Sequence, residues 1–261
     1  MTTDQEKGQK GRAAVAGKLF TQSVPSSACG RPVRPLYDDL PKQLVVAIDG
    51  TAQAGKNTVG EIVAETIGGV LVDSDRVYCA LTKACLEAGV DLDERRAIVE
   101  FCREATLNIR VDWDGGKVKE AVAFIDGRFF AKDELKSVAA LTWKVSDVHE
   151  VREAAYKALR LCALYGRIVM VGHDIGGVVF PKTPYKFFLD APGDVREQRH
   201  FRELHSYGAV RRDHNEDKQL VFAEDALMID TGNLEPHEVS GIILIEVFWG
   251  ADERKTSRQL V

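Results

Sequence analysis

Between Asp49 and Thr58 the chain reads Asp-Gly-Thr-Ala-Gln-Ala-Gly-Lys-Asn-Thr, with Gly50, Gly55 and Lys56 at the spacing Gly-x-x-x-x-Gly-Lys. Two glycines permit a tight turn whose backbone N–H groups point at one centre. The positive end of a following helix and a lysine point charge then complete a cradle for a chain of phosphates. The residues that would line it are Gly50, Thr51, Ala52, Gln53, Ala54, Gly55, Lys56, Asn57 and Thr58. The strict form of the motif has Ser or Thr directly after the lysine, where the hydroxyl orients a magnesium shell. Here Asn57 intervenes and Thr58 carries the hydroxyl. A glycine turn with an incidental surface lysine is the bland alternative, and it does not account for the flanking elements described next.

Two further polar groups follow apolar runs in the same manner. Asp73-Ser74-Asp75-Arg76-Val77-Tyr78 comes after Gly69-Val70-Leu71-Val72, and Gly172-His173-Asp174-Ile175-Gly176-Gly177 comes after Ile168-Val169-Met170-Val171. Polar residues at the carboxyl ends of buried strands face the ligand cleft of open α/β sheets. Asp73 or Ser74 serves equally well as a helix N-cap. His173 has a structural reading beside the functional one, and Arg152 reads as well on a solvated helix face.

The elements that must position these groups follow from hydrophobic period. Leu44-Val45-Val46-Ala47-Ile48 is a continuous β-branched run of the kind buried on both faces of a parallel sheet. Phe187-Phe188-Leu189 and Ala226-Leu227-Met228-Ile229 repeat that character, together with the runs already named. Helical spacing (Val59, Ile62, Val63, Ile67) separates the first two strands, giving a β-α-β unit. Further helices are expected at about 76 to 88, 93 to 106, 146 to 165, 194 to 206 and 236 to 248. This alternation specifies an α/β layered domain. Segment 108 to 130 differs: Asn108-Ile109-Arg110-Val111 and Val122-Ala123-Phe124-Ile125 flank Asp114-Gly115-Gly116, predicting an antiparallel hairpin inserted into the frame.

Composition sets the outer bounds. The chain has 261 residues, 45% of them hydrophobic, with 35 basic and 40 acidic side chains and a formal charge of −5. That length and apolar content build a sizeable core, and the charge gives no general affinity for nucleic acid or anionic lipid. No run reaches the roughly 18 apolar residues of a membrane span, and the start of the chain lacks a secretory apolar stretch, so a cytoplasmic protein is the expectation. Five scattered cysteines without Cys-x-x-Cys read as reduced thiols, and a monomer is expected. Residues 1–41 hold four of the eight prolines and read as a disordered extension, and 251–261 as a polar tail.

The residues together resemble the cytidylate kinases, a family of P-loop nucleoside monophosphate kinases. The resemblance rests on Val46 to Gly50 with Gly55 to Thr58, on Asp73-Ser74 with Tyr78 to Thr82, on Val151-Arg152-Glu153, and on Gly172 through Pro181 followed by Lys186 to Leu189. It runs in order from about Gln43 to Val247. It implies a three-layer P-loop NTPase-type fold over residues 42–250 with a parallel central sheet, a small monophosphate-binding insertion and a short lid at about 207–222. It also implies magnesium-dependent transfer from ATP to CMP or dCMP. By the same resemblance, Gly50 to Thr58 hold the ATP phosphates, Thr58 serving the metal, and Arg196 and Arg199 lie on the ATP side, with Lys56, Arg199 and Asp174 at the reacting centre. Ser74, Arg76, Tyr78, Arg152, His173, Asp174 and Arg212 would surround the acceptor, with Arg152 and Asp174 on its base.

This chain departs from the family on the acceptor side. The family has arginines gripping the acceptor phosphate where Cys79 and His173 stand here. A thiol and an imidazole cannot replace a planar, permanently charged fork. Asp75-Arg76 stands for the usual Gly-Ala, which offers Arg76 as a substitute cation. Trp143 stands for a base-reading serine, with Thr142 or Ser146 as stand-ins. The lid keeps only Arg211, Arg212 and Asp213 of an arginine-rich segment. Loss of the phosphate grip opens two other readings: a kinase for a nucleoside or another small alcohol with Asp174 as base, or an inactive nucleotide-binding relative.

Overall fold

The computed structural model describes residues 40–114, 117–207 and 220–258, with side chains left undescribed at 112–120, 203–207 and 251–258. The tip of the expected hairpin at Gly115-Gly116, most of the expected lid including Arg211, Arg212 and Asp213, and nearly all of the expected extension lie outside the described residues.

Five parallel strands form the central sheet: β1 (Leu44–Gly50), β2 (Val70–Asp73), β6 (Arg167–Gly172), β7 (Tyr185–Asp190) and β8 (Leu227–Asp230), in the order β2-β6-β1-β7-β8. All five apolar runs became strands. Strand alternation splits β1, β2 and β6 between two cores, while β7 and β8 contribute to one of them. From β1 and β6, Leu44, Val46, Ile48, Val169 and Val171 pack on one face against Val59, Val63 and Ile67 of α1 (Lys56–Thr66) and Val239, Ile242 and Ile243 of α8 (Pro236–Arg258). Ala47, Ile168 and Met170 pack on the other face with Val77 and Leu81 of α2 (Ser74–Glu87), Ile98 of α3 (Arg95–Glu104) and Val151, Ala155 and Leu159 of α6 (His149–Leu161). The result is the expected three-layer α/β arrangement.

The inserted segment contains more than a hairpin. Strands β3 (Leu107–Asp114), β4 (Lys117–Ile125) and β5 (Arg128–Phe129) make a three-stranded antiparallel sheet that packs on β2 and α2. Two short helices follow, α4 (Lys132–Val138) and α5 (Thr142–Ser146). The expected helix at 146 to 165 is divided: α5 ends at Ser146, α6 begins at His149, and a 3-10 turn occupies Cys162–Tyr165. Helix α7 spans Gly193–Tyr207, and α8 continues as far as Arg258, into the stretch expected as a tail. At the other end, Leu40 is already buried, and Arg167 donates to the carbonyls of Leu40 and Pro41 (3.1 and 3.0 Å). Leu40 and Pro41 are thus packed against the domain.

Register sets the site. Asp49 of β1 lies beside Gly172 of β6, and Gly50 beside Leu189 of β7. The segments after β1, β2, β6 and β7 therefore emerge at one edge of the sheet, where its order reverses around β1.

Candidate functional site

The loop from Gly50 to Thr58 is braced from outside by the elements around it. A Cβ on Gly50 would sit 2.1 Å from the Leu189 carbonyl oxygen, so only glycine lets β1 and β7 approach this closely. Thr51 is fixed to the same strand, its N–H donating to Leu189 O (3.1 Å) and its hydroxyl to Asp190 Oδ1 (2.8 Å). The Thr51 hydroxyl therefore anchors the loop to the fold. Gln53 adopts a left-handed φ of 63°, and Gly55 at φ 93° turns the chain into α1. Lys56 is buried and folds back, donating through Nζ to the carbonyls of Gly50 (2.8 Å) and Thr51 (2.9 Å).

Two residues brace the far side. Thr231, just past β8, donates from Oγ1 to Ala54 O (3.0 Å), and Arg199 of α7 reaches Gln53 O (3.3 Å), Thr231 Oγ1 (3.0 Å) and Thr231 O (2.6 Å). The structure thus places Arg199 against the loop backbone. Arg196 is half-buried one turn earlier on α7. Thr231 was not legible as a site residue; a lone threonine after a strand has many readings.

Asp73 does serve as an N-cap: its Oδ1 accepts from the Asp75 amide (3.0 Å). Its Oδ2 accepts from Asn57 Nδ2 (2.9 Å) and lies 3.3 Å from Arg76 Nε. Asn57 therefore ties the first turn of α1 to β2, and Arg76 directs its charge at Asp73. Ser74 is buried under β6, where a Cβ on Gly172 would come within 2.3 Å of its Oγ. Cys79 Sγ lies 3.4 Å from Thr142 Oγ1.

The segment after β6 forms a π-helical turn, Ile175–Val179. Its first two amides, Ile175 N–H and Gly176 N–H, each donate over 2.7 Å to the two oxygens of Asp49. Arg160 of α6 donates to the carbonyls of Val178 and Val179 (2.9 Å each). Asp174, 3% exposed, accepts on Oδ2 from both Arg152 Nη2 and the Tyr156 hydroxyl. Arg152 also donates to Tyr156 Oη (2.8 Å) and Ser146 O (3.2 Å), with its guanidinium 5.7 Å from the Tyr78 ring centroid. Burial alone would weaken this cation, but Asp174 and the two tyrosines hold its pKa above the ordinary value.

Two buried polar atoms here have no hydrogen-bond partner among the described residues: Tyr78 Oη and His173 Nδ1. His173 Nε2 stands 3.7 Å from Asp75 Oδ2. Unpaired buried polar groups cost free energy unless a ligand or water meets them. Arg152, Tyr78, His173 and Asp174 are thus gathered at one edge, while Arg76 is drawn to the Asp73 corner.

Asp49 and Tyr156 were not recognised as site residues from sequence. Burial pushes the Asp49 carboxyl up from 3.8 to about 6, against the two amides and Lys56 and with help from Asp174. Because the folded value lies above the ordinary one, folding takes up a proton between these limits. The stability this contributes is complete below about pH 4 and is lost as the pH rises through about 6, by about 3 kcal/mol in all. Urea unfolding of wild type and Asp49→Asn at intervals from pH 4 to 7 should show a steeper decline with pH in wild type. Identical pH slopes would contradict this assignment.

Comparison with known proteins bears directly on this arrangement. A family profile described as cytidylate kinase matches residues 46–247. The chain belongs to the cytidylate kinase family. It is 35% identical over 215 residues to a cytidylate kinase from Limosilactobacillus reuteri (strain DSM 20016), covering 76% of this chain and 92% of that protein. It is 33% identical over 222 residues to the Bacillus subtilis (strain 168) cytidylate kinase, covering 78% and 96%. The Clostridioides difficile (strain 630) cytidylate kinase is 29% identical over 214 residues, covering 75% and 94%. Membership spans all three polar segments, the phosphate loop, the Asp73 corner and the Asp174 turn, and the inserted sheet between them. Among the described residues, no helix of this family member is long and apolar enough to cross a membrane.

Proposed function

We propose that the chain moves the terminal phosphoryl group of ATP onto the phosphate of CMP or dCMP, giving ADP and CDP or dCDP. The observation that carries this reading is the linkage of two cradles at neighbouring strand ends. The loop after β1 carries Lys56, and the turn after β6 carries Asp174, with Asp49 bonding the end of one strand to the turn of the other. The names of the related proteins support the same acceptor.

Phosphoryl transfer asks the protein for alignment and charge neutralisation. With a triphosphate present, Lys56 exchanges the Gly50 and Thr51 carbonyls for phosphate oxygens. Arg152 and Asp174 orient the acceptor base, and Tyr78, His173 and Ser74 lie around the acceptor. Arg199 keeps the loop in place from the ATP side, where Arg196 lies one turn earlier on α7, and Arg212 belongs to the segment that would close. An acceptor phosphate is already ionised, so no general base is required, and Asp174, held by Arg152 and Tyr156, acts in recognition.

Magnesium would enter as a companion of the nucleotide. Among the described residues no three His, Cys, Asp or Glu side chains group as a metal site, and Thr58 lies exposed in the first turn of α1. Thr58 would hold the ion beside the phosphates, where it supplies neutralisation of their charge.

An ADP-release assay over CMP, dCMP, UMP and cytidine tests the reading. CMP or dCMP is expected to be the best acceptor; turnover with cytidine but not CMP would overturn it. Cys79→Arg adds a cation on the acceptor side of α2. It should lower KM for CMP about fivefold or more, since a charge-assisted bond to phosphate is gained. An unchanged or higher KM in a normally folded variant would show that this side does not limit acceptor binding.

A further inference from the structure

We propose that Tyr156 is a positioning residue for base selection: its hydroxyl fixes Asp174 so that the carboxylate offers one defined oxygen to the acceptor. The inference rests on the acceptor reading above and extends it to a side chain that the sequence motifs left out. Tyr156 lies one turn after Arg152 on α6, and the two converge on a single atom, Asp174 Oδ2. A phenol has one proton to give. Tyr156 gives it to Asp174 and accepts from Arg152 Nε (2.8 Å), so the three side chains close a ring of hydrogen bonds. Arg152 is held at its other end by the Ser146 carbonyl (3.2 Å).

The consequence lies in what remains. Both hydrogen bonds described for Asp174 end on Oδ2, and two donors converging on one oxygen oppose exchange of the two oxygens, which assigns Oδ1 to the acceptor. An ionised carboxylate oxygen only accepts. It welcomes an exocyclic amino group, as on cytosine, and repels the carbonyl oxygen that uracil carries at the same ring position. A site built to receive a donor penalises an analogue that presents an acceptor, because the site's own polar group is then left unpaired. The Tyr156 hydroxyl is pushed up to about 12, mainly by burial and then by its bond to Asp174. It therefore remains a proton donor throughout the range in which the enzyme would be assayed.

Tyr156→Phe removes the hydroxyl and keeps the ring that lies 5.6 Å from the Arg152 guanidinium. Steady-state kinetics with CMP and with UMP, each at saturating ATP, give the test. KM for CMP should rise about tenfold, as for one lost charge-assisted hydrogen bond, with KM for ATP unchanged. The preference in kcat/KM for CMP over UMP should fall by about fivefold or more. A merely structural tyrosine would shift the ATP and CMP constants together and leave the CMP/UMP ratio alone, and that result overturns the proposal. An unchanged ratio with unchanged constants overturns it equally. Asp174→Asn separates the two levels. If that variant alters CMP/UMP preference while Tyr156→Phe does not, only the role of Tyr156 fails. If Asp174→Asn leaves KM for CMP and the preference intact, the acceptor reading itself fails.

Discussion

Lys56→Ala should lower kcat by at least about a hundredfold while the protein stays folded. In the proposed function the lysine supplies the positive charge of the loop. In the structure its ammonium occupies the carbonyls of Gly50 and Thr51, inside the turn whose amides would surround a triphosphate. The loop does not depend on it for shape, because Leu189, Asp190, Thr231 and Arg199 brace the backbone from outside. Removing the side chain should therefore cost the charge proposed to act on the transferred group, at small expense to the fold. A stopped-time assay of ADP formation, with thermal unfolding as the control, checks both halves. Near wild-type rates would show that this loop is not the donor site.

Arg152→Ala should be the most damaging change on the acceptor side. Asp174 is 3% exposed and shares its Oδ2 between Arg152 and Tyr156, so deleting the guanidinium leaves a buried carboxylate with a single phenol donor. Breaking a buried ion pair from one side costs about 3–5 kcal/mol, and the remaining Tyr156 bond favours the lower figure. KM for CMP should rise at least tenfold as well if, as proposed, the same guanidinium orients the base. Adding Asp174→Asn to Arg152→Ala removes the stranded charge. The double variant should regain much of the stability and none of the CMP affinity. Recovery of both would mean that Arg152 has no part in acceptor binding. A single variant as stable as wild type would mean that the pair is not desolvated.

What could be read without coordinates was whatever period or spacing encodes locally. The five parallel strands were visible because each is a short apolar run, although β8, expected to be buried on both faces, lies at the sheet edge with Met228 50% exposed, and the Gly-x-x-x-x-Gly-Lys spacing was visible because its glycines and lysine sit within seven residues. Helices α4 and α5, at seven and five residues, carry too little amphipathic pattern to announce themselves; the Glu134 carboxylate accepting from the Ala131 amide (2.8 Å) starts the first of them. The residues that organise the site are joined by register across long stretches of chain. Asp49 meets amides more than a hundred residues away, a contact created only when β1 lies beside β6. Its signal was a carboxylate closing an otherwise apolar strand. Tyr156 had a clearer one, its place four residues after Arg152 on the same helix face. Arg76, expected as a substitute cation, has its Nε 3.3 Å from Asp73 Oδ2, a contact that its sequence position alone does not specify.

The most direct measurement is a crystal structure with a non-hydrolysable ATP analogue and CMP together. The account predicts the outer phosphates within the turn from Gly50 to Thr58, Lys56 Nζ moved off its two carbonyls onto phosphate oxygens, and the cytosine amino group at Asp174 Oδ1. A nucleotide bound elsewhere, or a turn whose lysine still rests on Gly50 and Thr51 with the analogue present, would contradict it.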